Sequence, residues 1–509
     1  MSGRTRALLG RARQRASSLF KSQEELDITN GSIGKSLFFL SLPIVITNLL
    51  QVAYNLADTF WLGRYSTEAL AAISLGFPMV YLFISLGMGL TVAGSVLVAQ
   101  HTGAEQRRRA EYAASQTVTF SLVAATLLGG VGFFFIGDLL SLFGTEPLVE
   151  ALATDYLRVI TLGLPFMFGF FVFIALMRGS GDTVTPMVVM FGTVVLNIAL
   201  DPFLIFGWGP FPQLGVEGAA IATVFARGLA MVVGLAIMFQ GARGVRIRVG
   251  EMWPDFSYAR KLLRVGVPAS IENTGRAVSV NAVLFIVTLF STPVIAAFGV
   301  GVRVFSLVFM PAIAIDRGVE TITGQNIGAG KPDRVAATNR FAAKVSFVLL
   351  AALGVVIFVF APSIIRVFDS NPAVVEEGTT FLRWVAPTFG FVGILRAYSG
   401  GFRGTGRTLT AAAIAIMLFG LIRLPVAYVA SQNIIPVDFW IFGSKTPQGI
   451  WLGFALSSVV AALVAFVWFE QGTWRDTDLT DDDPPAATGD EPGEGAAATD
   501  STDADLTDD

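Results

Sequence analysis

The chain has 509 residues, 53% of them hydrophobic and only 14% charged, with a formal net charge of −3. Soluble domains carry about 25% charged residues, so this composition belongs in a bilayer. Cysteine is absent and His101 is the only histidine, which excludes disulfides and thiolate nucleophiles and speaks against a multi-histidine metal site or a histidine-based triad.

Taken in order, residues 1–35 carry Arg4, Arg6, Arg11, Arg13, Arg15, Lys21 and Lys35 and no long apolar core. They read as a basic cytoplasmic arm against anionic lipid, not as a signal peptide. Apolar segments of about 20 residues or more then fall at 36–61, 68–99, 112–135, 151–177, 184–207, 217–240, 262–290, 293–324, 335–360, 377–401, 408–431 and 448–470. The fold class is an all-α polytopic membrane protein with twelve transmembrane helices. Residues 36–240 form an N-terminal six-helix lobe, 241–261 a cytoplasmic linker, and 262–471 a C-terminal six-helix lobe. Residues 472–509 read as a disordered cytoplasmic tail, because 476–509 hold 13 acids and no Lys or Arg. Arg outnumbers Lys 29 to 6. Few lysines with an acidic soluble segment resemble the proteins of halophilic archaea.

Positive charge alternates between connections. The side of the N-terminus has Arg107, Arg108, Arg109, Arg178, Arg243, Arg246, Arg248, Arg260, Lys261, Lys331, Arg334, Arg403, Arg407 and Arg475. The other side has little beyond Arg64, Arg366 and Lys445. The positive-inside rule puts both termini in the cytoplasm of a multi-pass plasma-membrane protein, with 136–150 external.

The two halves repeat at one offset of 225 residues. Pro43 pairs with Pro268, Asn48 with Asn273, and Ala71-Ala72 with Ala296-Ala297. Gln100-x-x-Gly103 pairs with Gln325-x-x-Gly328, and Pro147 with Pro372. Arg178-Gly179-x-Gly181-x-Thr183 pairs with Arg403-Gly404-x-Gly406-x-Thr408. Six helices per half point both lobes the same way, so a pseudo-twofold axis runs along the membrane normal. A cleft between such lobes suits alternating access. The intramembrane acids break the symmetry: Asp58 pairs with Val283 and Asp201 with Val426.

Those acids carry the chemistry. A carboxylate in hydrocarbon is costly and faces a protein interior or aqueous cavity. The first helix has Tyr54, Asn55 and Asp58 after Pro43, a residue that bends helices. In the fifth, Asn197 and Asp201 share a face four residues apart. Asp58, Asn197 and Asp201, with the Thr223 hydroxyl of the sixth helix, make an oxygen-rich pocket for a proton or Na+. The plainer readings are a headgroup position for Asp58 and an interhelical clamp for the Asn197–Asp201 pair. In the second half Glu272 and Arg276 lie four apart, with Arg303, Asp316, Arg317, Glu320, Arg396 and Arg423 in or near helices. Structural pairing and substrate contact both fit this set. Gly328-Ala329-Gly330-Lys331 fails as a phosphate loop, since Pro332 replaces the needed hydroxyl. The basic arm lacks interleaved aromatics, against nucleic-acid binding. His101 reads as a surface residue.

LSLPIVITNLLQVAYNLADTFWLG, MRGSGDTVTPM and LNIALDPFLIF, set in two six-helix repeats over about residues 35–470, resemble the MATE (multidrug and toxic compound extrusion) transporters, closest to the DinF-like prokaryotic and archaeal branch. The resemblance implies a secondary active exporter of small amphipathic organic substrates, cationic ones, coupled to inward H+ or Na+. It implies a monomer among membrane lipids, with no cofactor, no nucleic-acid partner and no enzymatic activity. It puts ion coupling on Asp58, Tyr54, Asn197, Asp201 and Thr223, and helix bending on Pro43. Another branch uses acids in helices seven and ten. Here Glu272 matches the first, but the tenth helix offers Arg396 and no acid. The rival within the superfamily is a flippase for a lipid-linked saccharide, which would use the second half's intramembrane arginines, Arg276 and Arg396 among them, on phosphates, with Glu272 a further substrate or network residue.

Overall fold

A computed structural model describes residues 27–141, 144–434, 446–475, 477 and 479. Most of the basic arm and of the acidic tail therefore lie outside the described residues. Among the described residues every regular element is helical. The first lobe comprises α1 (Ile33–Tyr65), α2 (Thr67–Gly103), α3 (Arg107–Ser141), α4 (Pro147–Leu162), α5 (Leu164–Ser180), α6 (Val184–Phe206) and α7 (Gly215–Gln240). The second comprises α8 (Phe256–Val287), α9 (Thr292–Val308), α10 (Met310–Gly328), α11 (Pro332–Phe368), α12 (Pro372–Val385), α13 (Phe389–Gly404), α14 (Thr408–Ile416), α15 (Leu424–Gln432) and α16 (Gln448–Glu470).

These build the twelve spans of a membrane transporter fold. Eight are apolar rods long enough to cross a bilayer, one of them α14 continuing into α15. Two more are bent pairs, α4–α5 at 54° and α9–α10 at 43°. The remaining two, α8 and α12–α13, carry Glu272, Arg276, Arg396 and Arg403 within their spans. The fourth and eighth spans, expected as single helices, break because a proline follows each joint. Pro165 and Pro311 supply no N–H to the preceding turn and start a new helix instead. Pro43, by contrast, sits inside a continuous α1, where Thr47 Oγ1 donates to its carbonyl at 2.9 Å. The eleventh span widens into a π-helical turn over Met417–Arg423. Pro425 cannot supply an N–H to the Leu421 carbonyl, which leaves the ladder free to slip there.

The repeat shows itself in packing. Leu37 and Leu40 at the start of α1 belong to a core of the second lobe, with Val319, Ile322 and Ala397. Their repeat partners Leu262 and Val265 at the start of α8 belong to a core of the first lobe, with Leu97, Val118 and Leu176. Each lobe thus lends the start of its first helix to the other.

The lobes close on each other at the arginine-rich end. Gln100 Nε2 donates to the Gly404 carbonyl at 2.9 Å, and its repeat partner Gln325 donates to Gly179 at 3.0 Å. A Cβ on Gly103 would lie 1.9 Å from the Gln325 carbonyl oxygen, and one on Gly328 2.0 Å from that of Gln100. Only glycine permits this approach. The paired arginine–glycine motif has a local role too. Gly181 and Gly406 both turn the chain in the left-handed region, at φ 101° and 81°. Past α16, Trp474 is buried, its Nε1 donating to the Phe469 carbonyl at 2.7 Å. Leu479 reaches the seam, where its N–H donates to Gln100 Oε1 at 3.1 Å and its carbonyl accepts from Lys261.

Candidate functional site

Two polar groups lie inside the apolar body. The first joins α1, α6 and α7. Tyr54 and Asp58 project from consecutive turns of α1, Asn197 and Asp201 from consecutive turns of α6, and Thr223 from α7. All five are buried, and Asn197 and Asp201 are wholly so. Asp58 faces Asp201, with Thr223 and Arg227 beside them. Asn197 Nδ2 donates to Asp201 Oδ1 at 3.0 Å.

Each of these five side chains keeps a buried oxygen that no protein donor meets in good hydrogen-bond geometry, Tyr54 Oη, Asp58 Oδ1, Asn197 Oδ1, Asp201 Oδ2 and Thr223 Oγ1, with Thr223 and Arg227 the nearest donors to Tyr54 and Asp58. A buried polar group left unpaired costs about 1–3 kcal/mol. Two carboxylates with neutral oxygens around them form a place where a small cation or proton lowers the energy. Among the described residues no three acidic, histidine or cysteine side chains converge as a metal cluster.

Sequence reasoning passed over Arg227. It is buried on α7, its guanidinium 4.7 Å from the Tyr54 ring centroid. Its Nη2 donates to Gln51 Oε1 at 2.6 Å. The signal was present: an arginine midway along a 26-residue apolar helix is as costly as a carboxylate.

The second group centres on Arg403. It is buried, and all three nearby acids lie on it. Nε donates to Glu320 at 2.9 Å, Nη1 to Glu272 at 2.8 Å, and Nη2 to Asp316. Arg178 of the first lobe and Arg317 also approach Glu320, at 3.6 and 2.8 Å. Arg178 and Arg403, expected in connections, both lie on helices, Arg403 buried and Arg178 half-buried. The positive-inside count treated them as loop charge, whereas their acids sit on α8 and α10. Arg276 lies 3.8 Å from Glu272 and Arg396 3.7 Å from Asp316. His101 also departs from its expected surface position. It is buried, with Nδ1 2.9 Å from Gln106 Oε1.

Between the lobes lie two adjoining cavities. One, of about 470 Å³, is lined by Glu272, Arg276, Arg396, Arg423 and phenylalanines of the second lobe. The other, of about 270 Å³, is lined by Arg178, Arg227 and Arg317. Asn48 and Gln51 of α1 face both. Gln51 thus touches the cleft and, through Arg227, the oxygen group.

The MatE family model matches residues 43–203 and 268–429, one stretch per lobe, each opening on a repeat-paired proline. The probable multidrug resistance protein NorM of Thermotoga maritima is 30% identical over 463 residues, covering 90% of this chain and 96% of its own. A solved structure of a MATE protein in the bent conformation superposes with a TM-score of 0.81 at 25% identity, over 89% of this chain and 98% of that one. A superfamily transporter from Pyrococcus furiosus, described for the reverse polarity of its binding pocket, gives 0.80 at 25% identity over the same shares. With both lobes matched and relatives spanning nearly the whole body, the chain belongs to the MatE family of multidrug and toxic compound extrusion transporters.

Proposed function

We propose that this protein is a secondary active exporter of small amphipathic organic compounds, driven by inward H+ or Na+ through rocking of its two lobes. The observation that carries the reading is the set of five buried oxygens in the first lobe that no protein donor meets in good geometry, two of them on acids with no counterpart in the second. The relative's name, a probable multidrug resistance protein, agrees.

An ion entering between Asp58 and Asp201 cancels charge there. Arg227 then loses part of what attracts it towards α1, and Gln51, held by Arg227, lines the cleft. Ion binding and substrate binding are thereby linked through one hydrogen bond, and the linkage is reciprocal. One charge moving through 100 mV supplies about 2.3 kcal/mol, enough for about fortyfold accumulation. The test is counterflow in proteoliposomes of the full chain, with pH and Na+ gradients imposed separately. Uptake driven by one gradient is expected. Flux indifferent to both would reject ion coupling.

The chain sits in the plasma membrane with both termini inside. The motive is the alternation of Arg and Lys between connections. The absence of cysteine permits a clean check: Thr145→Cys is expected to react with an impermeant reagent from outside intact cells. Labelling only after lysis would invert the topology.

A further inference from the structure

We infer that the cleft takes amphipathic organic anions, an aromatic or apolar body carrying a carboxylate, sulfonate or phosphate, with that charge among Arg276, Arg396 and Arg423. This rests on reading the cleft as the path of the transported compound.

Every acid near the second-lobe cavity is held by Arg403: Glu272, Asp316 and Glu320 all accept from its guanidinium. The three arginines that line the cavity do not share those acids at hydrogen-bonding distance. Arg276 stays 3.8 Å from Glu272, and its buried Nε has no partner. Arg396 stays 3.7 Å from Asp316. Arg423 meets no carboxylate among the described residues. Its Nε donates to the Ser457 hydroxyl at 3.1 Å, and its guanidinium lies 4.3 Å from the Phe454 centroid. Arginine does not deprotonate in proteins; Arg403, Arg276, Arg396, Arg423, Arg317 and Arg178 together set six positive charges against the three acids, so the cavity wall is cationic. The adjoining cavity adds Arg178, Arg227 and Arg317 and no acid.

The rest of the wall explains the amphipathic body. Phe298, Phe305, Phe309 and Phe419 surround the arginines, offering faces for an aromatic ring or chain. Guanidinium forks bind carboxylates and phosphates in two parallel hydrogen bonds. The π-helical turn ends at Arg423, and such turns recur at functional sites. An organic cation, by contrast, would sit among like charges with Glu272, the one lining acid among the described residues, already engaged.

The experiment uses the full chain in nanodiscs and three fluorescent probes of one shape: 1-pyrenebutanoate, 1-pyrenebutanol and 4-(1-pyrenyl)butyltrimethylammonium. Fluorescence anisotropy is expected to show the anion bound at least tenfold tighter than the alcohol, with the cation weakest. Arg423→Gln and Arg396→Gln should each remove about tenfold of the anion's affinity and leave the alcohol unchanged. Arg423→Lys, which keeps the charge, should restore part of it. Running phosphatidylcholine discs beside discs containing phosphatidylglycerol separates the two natural sources. Competition by the anionic lipid assigns the site to a lipid headgroup, and no competition assigns it to a soluble anion; either upholds the anionic cleft. Cation binding as tight as or tighter than the anion's, equal affinities for all three, or no binding by any, overturns it. The assay needs no gradient, so failed ion-driven flux with preserved anion preference would sink the export reading alone.

Discussion

At the scale of single residues, the first-lobe group makes a prediction that separates an ion site from an interhelical clamp. Two facing carboxylates inside a lobe repel, and their unpaired oxygens cost energy. Asp58→Asn and Asp201→Asn keep the shape and most of the hydrogen bonding but cannot offer full negative charge. Each is expected to abolish gradient-driven export and to leave thermal stability equal or higher, the usual relation between a strained functional site and stability. A clamp would behave oppositely, and a fall in the thermal midpoint with export retained would establish it. Gln51→Ala should keep proton or Na+ release by purified protein while uncoupling it from substrate, because the Arg227 bond to the cleft is gone. Asp58 and Asp201 were legible because an acid in an apolar run announces its own cost. Arg403 was not, because an arginine near a helix end looks the same in sequence whether it snorkels to lipid or turns inward to Glu272, Asp316 and Glu320.

Among elements, the end of the chain shows where composition stops being informative. The acidic composition places the start of the tail at residue 472, yet Trp474 stacks on Phe469 at 4.8 Å between ring centroids and lies in the second-lobe core. Trp474→Ala should cost about 3–5 kcal/mol, as buried aromatic truncations do, read as a lower thermal midpoint in detergent. A chain ending after Leu479 keeps that anchor and the seam contacts of Leu479, and should unfold near the full-length midpoint. Equal midpoints for all three would show that Trp474 anchors nothing. Helix count was legible from hydropathy, since each rod must bury its backbone hydrogen bonds in itself. The bends at Gly163 and Phe309 were not foreseen, although Pro165 and Pro311 stand beside them. A proline inside an apolar run marks a kink, a helix start or an unbroken helix such as α1, and only packing decides between them.

For the whole molecule, the seam at the arginine-rich end decides which way the cleft is shut. The offset of 225 residues exposed the repeat, and the paired glutamines show what it builds: each lobe's Gln reaches a carbonyl on the other side of the axis, Gln100 to Gly404 and Gln325 to Gly179. Rocking must break both together, since the contact is symmetric while the motion opens the whole end. Net hydrogen-bond contributions are about 1 kcal/mol each, so Gln100→Ala with Gln325→Ala should shift the equilibrium toward opening by about tenfold or more. Exposed Arg108 and Asp333 are repeat partners on opposite lobes at this end. Spin labels on Arg108→Cys and Asp333→Cys, in a chain with no other cysteine, read the distance directly. The parent should give one short, narrow distribution, and the double glutamine variant a second, longer one whose weight falls when the single changes are made alone. An unchanged distribution would mean that the glycine contacts of Gly103 and Gly328, not the glutamines, hold the lobes closed.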